Sequence, residues 1–221
     1  MGRRKSLILH ELILFGIAII TLLGTFSSCK DESCDVCDLL DKTEVIELQT
    51  EFGNIYLQLF EETPIHCRNF DSLVRARYYD STEFHRCVDD FVIQGGSPTS
   101  KDDNRNNDGS GGPGYTLPAE IDTSILKHEY GSLAAARLGN MTNPERRSSG
   151  SQFYIVTDPD GASFLDNEYT VFGKVLAGME VAKIIEGQPK NAAGLPDQRI
   201  KMYIRHVSLS PQELIDRGIV L

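Results

Sequence analysis

The stretch Phe84-His85-Arg86-Cys87-Val88-Asp89-Asp90-Phe91-Val92-Ile93-Gln94-Gly95-Gly96 sets one arginine and one glutamine among apolar residues and stops at a double glycine. Read as two short strands around a turn at Asp89-Asp90, its alternation brings Arg86, Phe91 and Gln94 close together. A cation and an amide beside an aromatic wall suit recognition of a peptide carrying an apolar group. On the same alternation His85 points to the opposite face, a structural place. Taken alone, the segment also reads as an ordinary hairpin with a surface arginine.

Its company narrows the choice. Gly150-Ser151-Gln152-Phe153-Tyr154-Ile155-Val156 is an alternating strand with Gln152 and Tyr154 on one face. Phe164-Leu165-Asp166 follows, then Tyr169-Thr170-Val171-Phe172-Gly173-Lys174-Val175, and upstream lie Thr50-Glu51-Phe52-Gly53-Asn54-Ile55, Thr63-Pro64 and Asn69-Phe70. In this order and spacing the set resembles the cyclophilin family of peptidyl-prolyl cis/trans isomerases, over residues 44–209. The resemblance implies an eight-stranded antiparallel barrel with its active groove on the outside. It also places the backbone of Ala136 and Arg137 along the substrate groove.

The implied reaction is rotation about a peptide bond preceding proline, against an amide-resonance barrier of about 18–20 kcal/mol. No bond breaks, so neither nucleophile, base, metal nor cofactor is required. The site must hold the proline ring, fix one flank of the peptide and favour the twisted amide. Arg86 is the candidate for the central role, because a pyramidal prolyl nitrogen accepts a hydrogen bond that the planar amide refuses. A guanidinium, always charged and rigidly forked, can supply it. Gln94 and Gln152 are expected to hold peptide carbonyls and position Arg86. Phe91, Val92, Tyr154 and Leu165 are expected to form the proline pocket, with Phe164 and Tyr169 in the substrate-binding set.

Departures from the family pattern bear on ligands. Phe164 stands where many eukaryotic members carry a tryptophan that helps bind cyclosporin. Tyr154 replaces a common phenylalanine, Tyr169 a common histidine and Arg137 a common asparagine. The expectation is retained turnover with weak cyclosporin binding. The competing functions are a proline-binding module or chaperone of the same fold, and a redox tether.

The elements that must position these residues are legible in outline. Strands are expected at Val45–Thr50 and Asn54–Phe60, with Gly53-Asn54 as a tight turn. Thr63 caps a helix that has Pro64 at its first position and runs to about Tyr78 with Phe70, Leu73 and Val74 inward. Residues 97–114 read as a loop, of which 99–110 look inserted and polar, either a tolerated surface insertion or a device shaping access. Strands follow near Leu133–Arg137, Gln152–Thr157, Val171–Val175 and Ile200–Leu209. A second helix spans Met179–Glu186, with Val181, Ile184 and Ile185 inward and Gly187 ending it. Ser210-Pro211-Gln212-Glu213 is a capping box for a short terminal helix over part of residues 210–221. The fold class is mainly β with two principal helices, a closed antiparallel barrel capped at its ends.

The 221 residues suit one domain plus appendages. Formal charge is −10; residues 1–28 contribute a net +2 from Arg3, Arg4, Lys5 and Glu11, which leaves −12 on the remainder. An acidic chain without a basic cluster argues against nucleic acid as partner. Arg3, Arg4 and Lys5 followed by the apolar run Leu12–Leu23 read as an export signal over residues 1–28. Phe26-Ser27-Ser28-Cys29 resembles a bacterial lipobox, with Phe26 in place of the usual leucine. Cleavage before Cys29 and lipid on its sulfur would anchor the chain; an uncleaved anchor or plain secretion are the alternatives, and all three export the domain. Residues 29–43 read as a charged tether, with Lys30-Asp31-Glu32 either a surface-display tag or random charge. The outer membrane is the expected location, with the periplasmic or cell-surface face open.

The chain has five cysteines. Cys34-x-x-Cys37 reads as a redox pair, half a zinc site or, in an oxidising compartment, a tether disulfide. Cys67 and Cys87 are expected as buried thiols, and a monomer is expected for a single compact domain.

Overall fold

The computed structural model describes residues 42–221. The export signal, Cys29, the Lys30-Asp31-Glu32 tag and the Cys34–Cys37 pair lie outside the described residues. Eight strands close into a barrel in the order β1 (Thr43–Thr50), β10 (Lys201–Leu209), β3 (Thr82–Val88), β4 (Val92–Gly95), β8 (Phe153–Val156), β6 (Ser132–Ala135), β9 (Val171–Ala177), β2 (Gly53–Leu59). Every neighbouring pair is antiparallel. A separate two-stranded ribbon pairs β5 (Thr116–Leu117) with β7 (Ser148–Ser149). The expected tether shortens by one residue, because Thr43 already pairs with Leu209.

The barrel interior is filled by alternate residues of these strands, among them Leu48, Ile55, Cys87, Ile93, Leu133, Ile155 and Met202. Helices α1 (Pro64–Arg75) and α2 (Met179–Glu186) close the two ends of this core with Phe70, Leu73, Val74 and with Val181, Ala182, Ile185. A third helix, α3 (Pro211–Asp216), opens on the expected reciprocal capping box between Ser210 and Glu213. The outward face of the sheet is apolar too. Val92, Ala134, Tyr154, Val156 and Val171 form a second cluster that Phe91, Leu165 and Tyr169 cover. Strands buried on both faces explain why their sequences read as near-continuous apolar runs.

Several local expectations change. The first hairpin turns at Glu51-Phe52, since Thr50 pairs with Gly53 and puts that glycine inside β2. Thr63 occupies the cap position of α1, but its hydroxyl turns away to the Phe60 carbonyl. The free amides of Ile65 and His66 instead donate to Glu120, at 3.0 and 2.9 Å. Helix α1 stops at Arg75 and not near Tyr78, where Arg77 takes a positive φ of 55°. In α2 it is Ala182 that points inward and Ile184 that is exposed, and Gly187 ends the helix in a right-handed conformation. Cys87 is buried as expected, whereas Cys67 is half-buried. Burial pushes the Cys87 thiol up to about 12.

Candidate active site

One row of residues crosses four strands of the barrel's outer face. Arg86 on β3 pairs with Gln94 on β4, Gln94 with Tyr154 on β8, and Tyr154 with Ala134 on β6. Above this row opens a cavity of about 250 Å³. Its walls carry Arg86, Phe91, Val92 and Gln94 from the β3–β4 hairpin, and Ala136 with Arg137 from the chain just past β6. Tyr154, Leu165 and Tyr169 complete it. Nine of the eleven expected catalytic and substrate-binding residues therefore meet at one place.

The two that do not line it are informative. Phe164 is 69% exposed and lies stacked against Phe91, with ring centroids 5.4 Å apart. Gln152 lines the adjoining hollow, and its amide is already occupied. Its Nε2 donates to the carbonyls of Gly109 and Gly111, at 2.9 and 2.7 Å, and its Oε1 accepts from Gln94 Nε2 at 3.2 Å. Gln152 thus ties the polar loop to the groove instead of waiting for a peptide carbonyl. Gln94 spends its NH₂ on Gln152 and leaves Oε1 without a partner among the described residues.

His85 is the clearest correction. The pairing of β3 with β4 slips between Phe84 and Arg86, so two residues of β3 oppose one of β4. The bulge breaks the alternation and turns His85 to the same side as Arg86, where its Nε2 lies 3.4 Å from Gln94 Nε2. Burial drives its pKa down to about 4, so it is a neutral hydrogen-bonding ring at physiological pH. Gly109 (φ +81°) packs on that ring, and a side chain there would come within 2.7 Å of it. On the groove side the polar loop is therefore held by Gln152 and by His85, while Ser100 and Arg105 tie it to Glu83 and to the Pro196 and Asp197 carbonyls.

The two arginines of the cavity differ sharply. Each nitrogen of Arg137 has a partner: Nε donates to the Glu168 carbonyl at 2.7 Å, Nη1 to the Leu138 carbonyl at 2.9 Å, and Nη2 to the Glu168 carboxylate at 2.7 Å. Its guanidinium also lies over the Tyr169 ring, 4.5 Å from the centroid. It is a wall. Arg86 has no hydrogen-bond or ion-pair partner among the described residues, only Phe91 at 5.9 Å. Its donors are free for whatever enters the cavity.

Two lysines tie down the turn of the hairpin. Lys190 bonds Asp89 at 2.5 Å and Lys183 bonds Asp90 at 3.1 Å, fixing the loop between Arg86 and Phe91. Sequence reasoning missed His128, whose Nε2 lies 2.9 Å from the Tyr154 hydroxyl beneath the cavity. The available signal was the hydroxyl itself, a polar atom on a residue assigned to an apolar pocket.

A free guanidinium above an apolar pocket lies on the outside of a closed barrel, and comparison with known proteins gives the family. A family model described as cyclophilin type peptidyl-prolyl cis-trans isomerase/CLD matches residues 45–207. The chain belongs to the cyclophilin family. Peptidyl-prolyl cis-trans isomerase B of Bacillus subtilis is 40% identical over 135 residues, 60% of this chain and 84% of its own length. Peptidyl-prolyl cis-trans isomerase-like 2 of Rhizopus delemar is 34% identical over 182 residues, which span 80% of this chain and 31% of that longer protein. A cyclophilin type isomerase of Cryptosporidium parvum, crystallised in the presence of the dipeptide Ala-Pro, aligns with a TM-score of 0.65 at 30% identity. That alignment covers 75% of this chain and 99% of the other. This cyclophilin is accordingly a peptidyl-prolyl cis-trans isomerase.

Proposed function

We propose that this cyclophilin accelerates rotation about Xaa-Pro bonds of proteins folding outside the cytoplasm, held to a membrane through lipid on Cys29. The observation that carries the catalytic part is the free guanidinium of Arg86 beside a cavity floored by Tyr154 and walled by Phe91, Val92 and Leu165. A proline ring fills such an apolar hollow. Arg86 then donates to the prolyl nitrogen as it becomes pyramidal, an interaction made only near the twisted state, so it lowers the barrier without tightening ground-state binding. Gln94 Oε1, left unpartnered, is the acceptor that can steady the guanidinium. Arg137, Ala136 and Tyr169 form the far wall along which the peptide lies.

The export reading rests on the basic start, the apolar run and Phe26-Ser27-Ser28-Cys29. The client is any proline-containing unfolded segment, and the working form is a monomer. Cyclosporin binds weakly, because Phe164 offers no indole N–H and spends one ring face on Phe91.

The test is isomerisation of a proline tetrapeptide by the purified full chain beside Arg86→Ala and Arg86→Lys. Losing a transition-state donor costs about 10²–10³ in kcat, and Arg86→Lys should recover little, because a point charge lacks the fork. Wild-type turnover unchanged by either substitution would remove Arg86 from the mechanism. For export, metabolic labelling with a fatty acid should mark the wild type and not Cys29→Ala; equal labelling, or none, would remove the anchor.

A further inference from the structure

We propose that His128, which does not line the cavity, is a positioning residue for isomerisation: it holds the Tyr154 floor of the proline pocket through a hydrogen bond whose direction Asp166 fixes.

The geometry is specific about protons. His128 is 3% exposed, in the connection that leads into β6. Asp166 Oδ1 lies 2.8 Å from His128 Nδ1 and also accepts the backbone N–H of His128 at 2.9 Å. An ionised carboxylate only accepts, so Nδ1 carries the hydrogen and Nε2 keeps its lone pair. The Tyr154 hydroxyl, 2.9 Å from Nε2, must then donate. The two rings lie nearly parallel, at 13°, and Tyr169 meets both edge-on, at 85° and 82°. Tyr154 therefore has one orientation, and Tyr169, itself a wall of the cavity, keeps it.

The same three residues bind the floor to the wall. Asp166 follows directly on the short turn Ser163–Leu165, and the Ala162 amide donates to the His128 carbonyl at 2.7 Å. Leu165 and Tyr154, both lining the cavity, are thus linked through His128. A catalytic donor acts only if the proline nitrogen is held within a fraction of an ångström of its reach. A floor free to tilt would spoil that register while leaving the pocket intact.

The groups that face His128 are Asp166, Tyr154 and Tyr169, with Glu129 next in the chain and the Arg137–Glu168 pair beyond Tyr169. Burial holds the imidazole below its ordinary pKa of 6.5, against the pull of Asp166. Protonation would place a hydrogen on Nε2 and force the phenol to turn round, breaking the donated bond.

The inference rests on the isomerase reading, and the experiment separates the two. kcat and KM for a proline tetrapeptide are measured without a coupling protease between about pH 5 and about pH 8. The proteins are the full-length wild type, Tyr154→Phe, His128→Phe and the double variant. Each single change should lower kcat/KM roughly 3- to 10-fold, mainly in kcat, as one hydrogen bond's worth. The double should lose less than the product of the two, because it removes both ends of one bond. The wild type should lose activity as pH falls through the lowered folded pKa of His128, beneath its ordinary 6.5, in a limb that the double variant lacks. Multiplicative single effects, or the same acid limb in both proteins, would overturn the proposal. Should His128→Phe fail to fold, Tyr154→Phe with a lowered Tm but wild-type kcat and pH profile would overturn it equally. No turnover in the wild type would overturn the isomerase reading and this one together.

Discussion

Gln152→Leu tests whether the polar loop is part of the catalytic apparatus. The substitution leaves an apolar side chain one bond shorter and removes the polar end. Three hydrogen bonds disappear: those to the Gly109 and Gly111 carbonyls, at 2.9 and 2.7 Å, and the one from Gln94 at 3.2 Å. At a net worth of about 0.5–1.5 kcal/mol each, the loss sums to roughly 2–3 kcal/mol if water replaces part of it. For a domain of this size that lowers Tm by roughly 5–10 °C. The catalytic effect is separate from this and larger in proportion. With Gln152 gone, the Gln94 amide is free to rotate, and Arg86, its cross-strand partner, loses a fixed neighbour. We expect kcat/KM to fall about tenfold with little change in KM, read by tetrapeptide isomerisation at a temperature where urea titration shows the variant folded. Gln152→Glu should be worse, because it sets a carboxylate against two carbonyl oxygens with no hydrogen between them. A variant with wild-type kcat/KM and a lowered Tm would show that the loop is scaffold only and that Gln94 needs no second residue.

Glu120→Ala removes the acceptor for two helix amides and for His66 Nδ1, which sits 2.6 Å from the carboxylate inside the protein. The loss of a helix cap together with a stranded buried donor should cost about 2–4 kcal/mol in urea unfolding, and a change below about 0.5 kcal/mol would refute the capping role. Gly109→Ala should lower both stability and kcat/KM, since a positive φ and the His85 ring both oppose a side chain there; wild-type values in both assays would refute the packing argument. Stability should also fall on acidification. His85 has its folded pKa depressed from 6.5 to about 4, so its contribution is present above pH 6.5 and lost as pH falls through about 4. That amounts to about 3 kcal/mol, checked by urea titrations of wild type and His85→Phe across that window. His66 and His128, both lowered by burial, act in the same direction.

The parts of this molecule that the sequence discloses are those encoded by short-range alternation. Val92 and Gln94 share a face with Tyr154 because a period of two holds along β4 and β8, and the capping box at Ser210 is written within four residues. What the sequence conceals is carried across long separations or by breaks in the period. Glu120 caps α1 from more than fifty positions away, so Thr63-Pro64 looked like a self-contained start. His85 was put on the wrong face because one extra residue in β3 leaves no mark on composition. Gln152 was expected to hold peptide carbonyls, and only the fold shows two loop carbonyls already there. Phe164 fails for a different reason: its place in the motif is kept, but the ring folds onto Phe91 and stays outside the cavity.

A groove that does chemistry without breaking bonds has to work by fixed placement, and the barrel supplies this in a particular way. Interior packing by Ile93, Ile155 and Leu133 holds β4, β8 and β6 so that their opposite faces present Gln94, Tyr154 and Ala134 in one row. Every donor side chain along that row is then spent on a neighbour among the described residues, and the Gln94 Oε1 acceptor alone stays open. Arg137 is spent on Glu168, Tyr154 on His128, Gln152 on the loop, and His85 packs against Gly109. Arg86 is the exception. Were the neighbouring groups free, a peptide could satisfy them in its planar form and gain ground-state affinity with no rate. Because they are occupied, the strongest donor left to an entering Xaa-Pro bond is the one that the twisted amide alone can use.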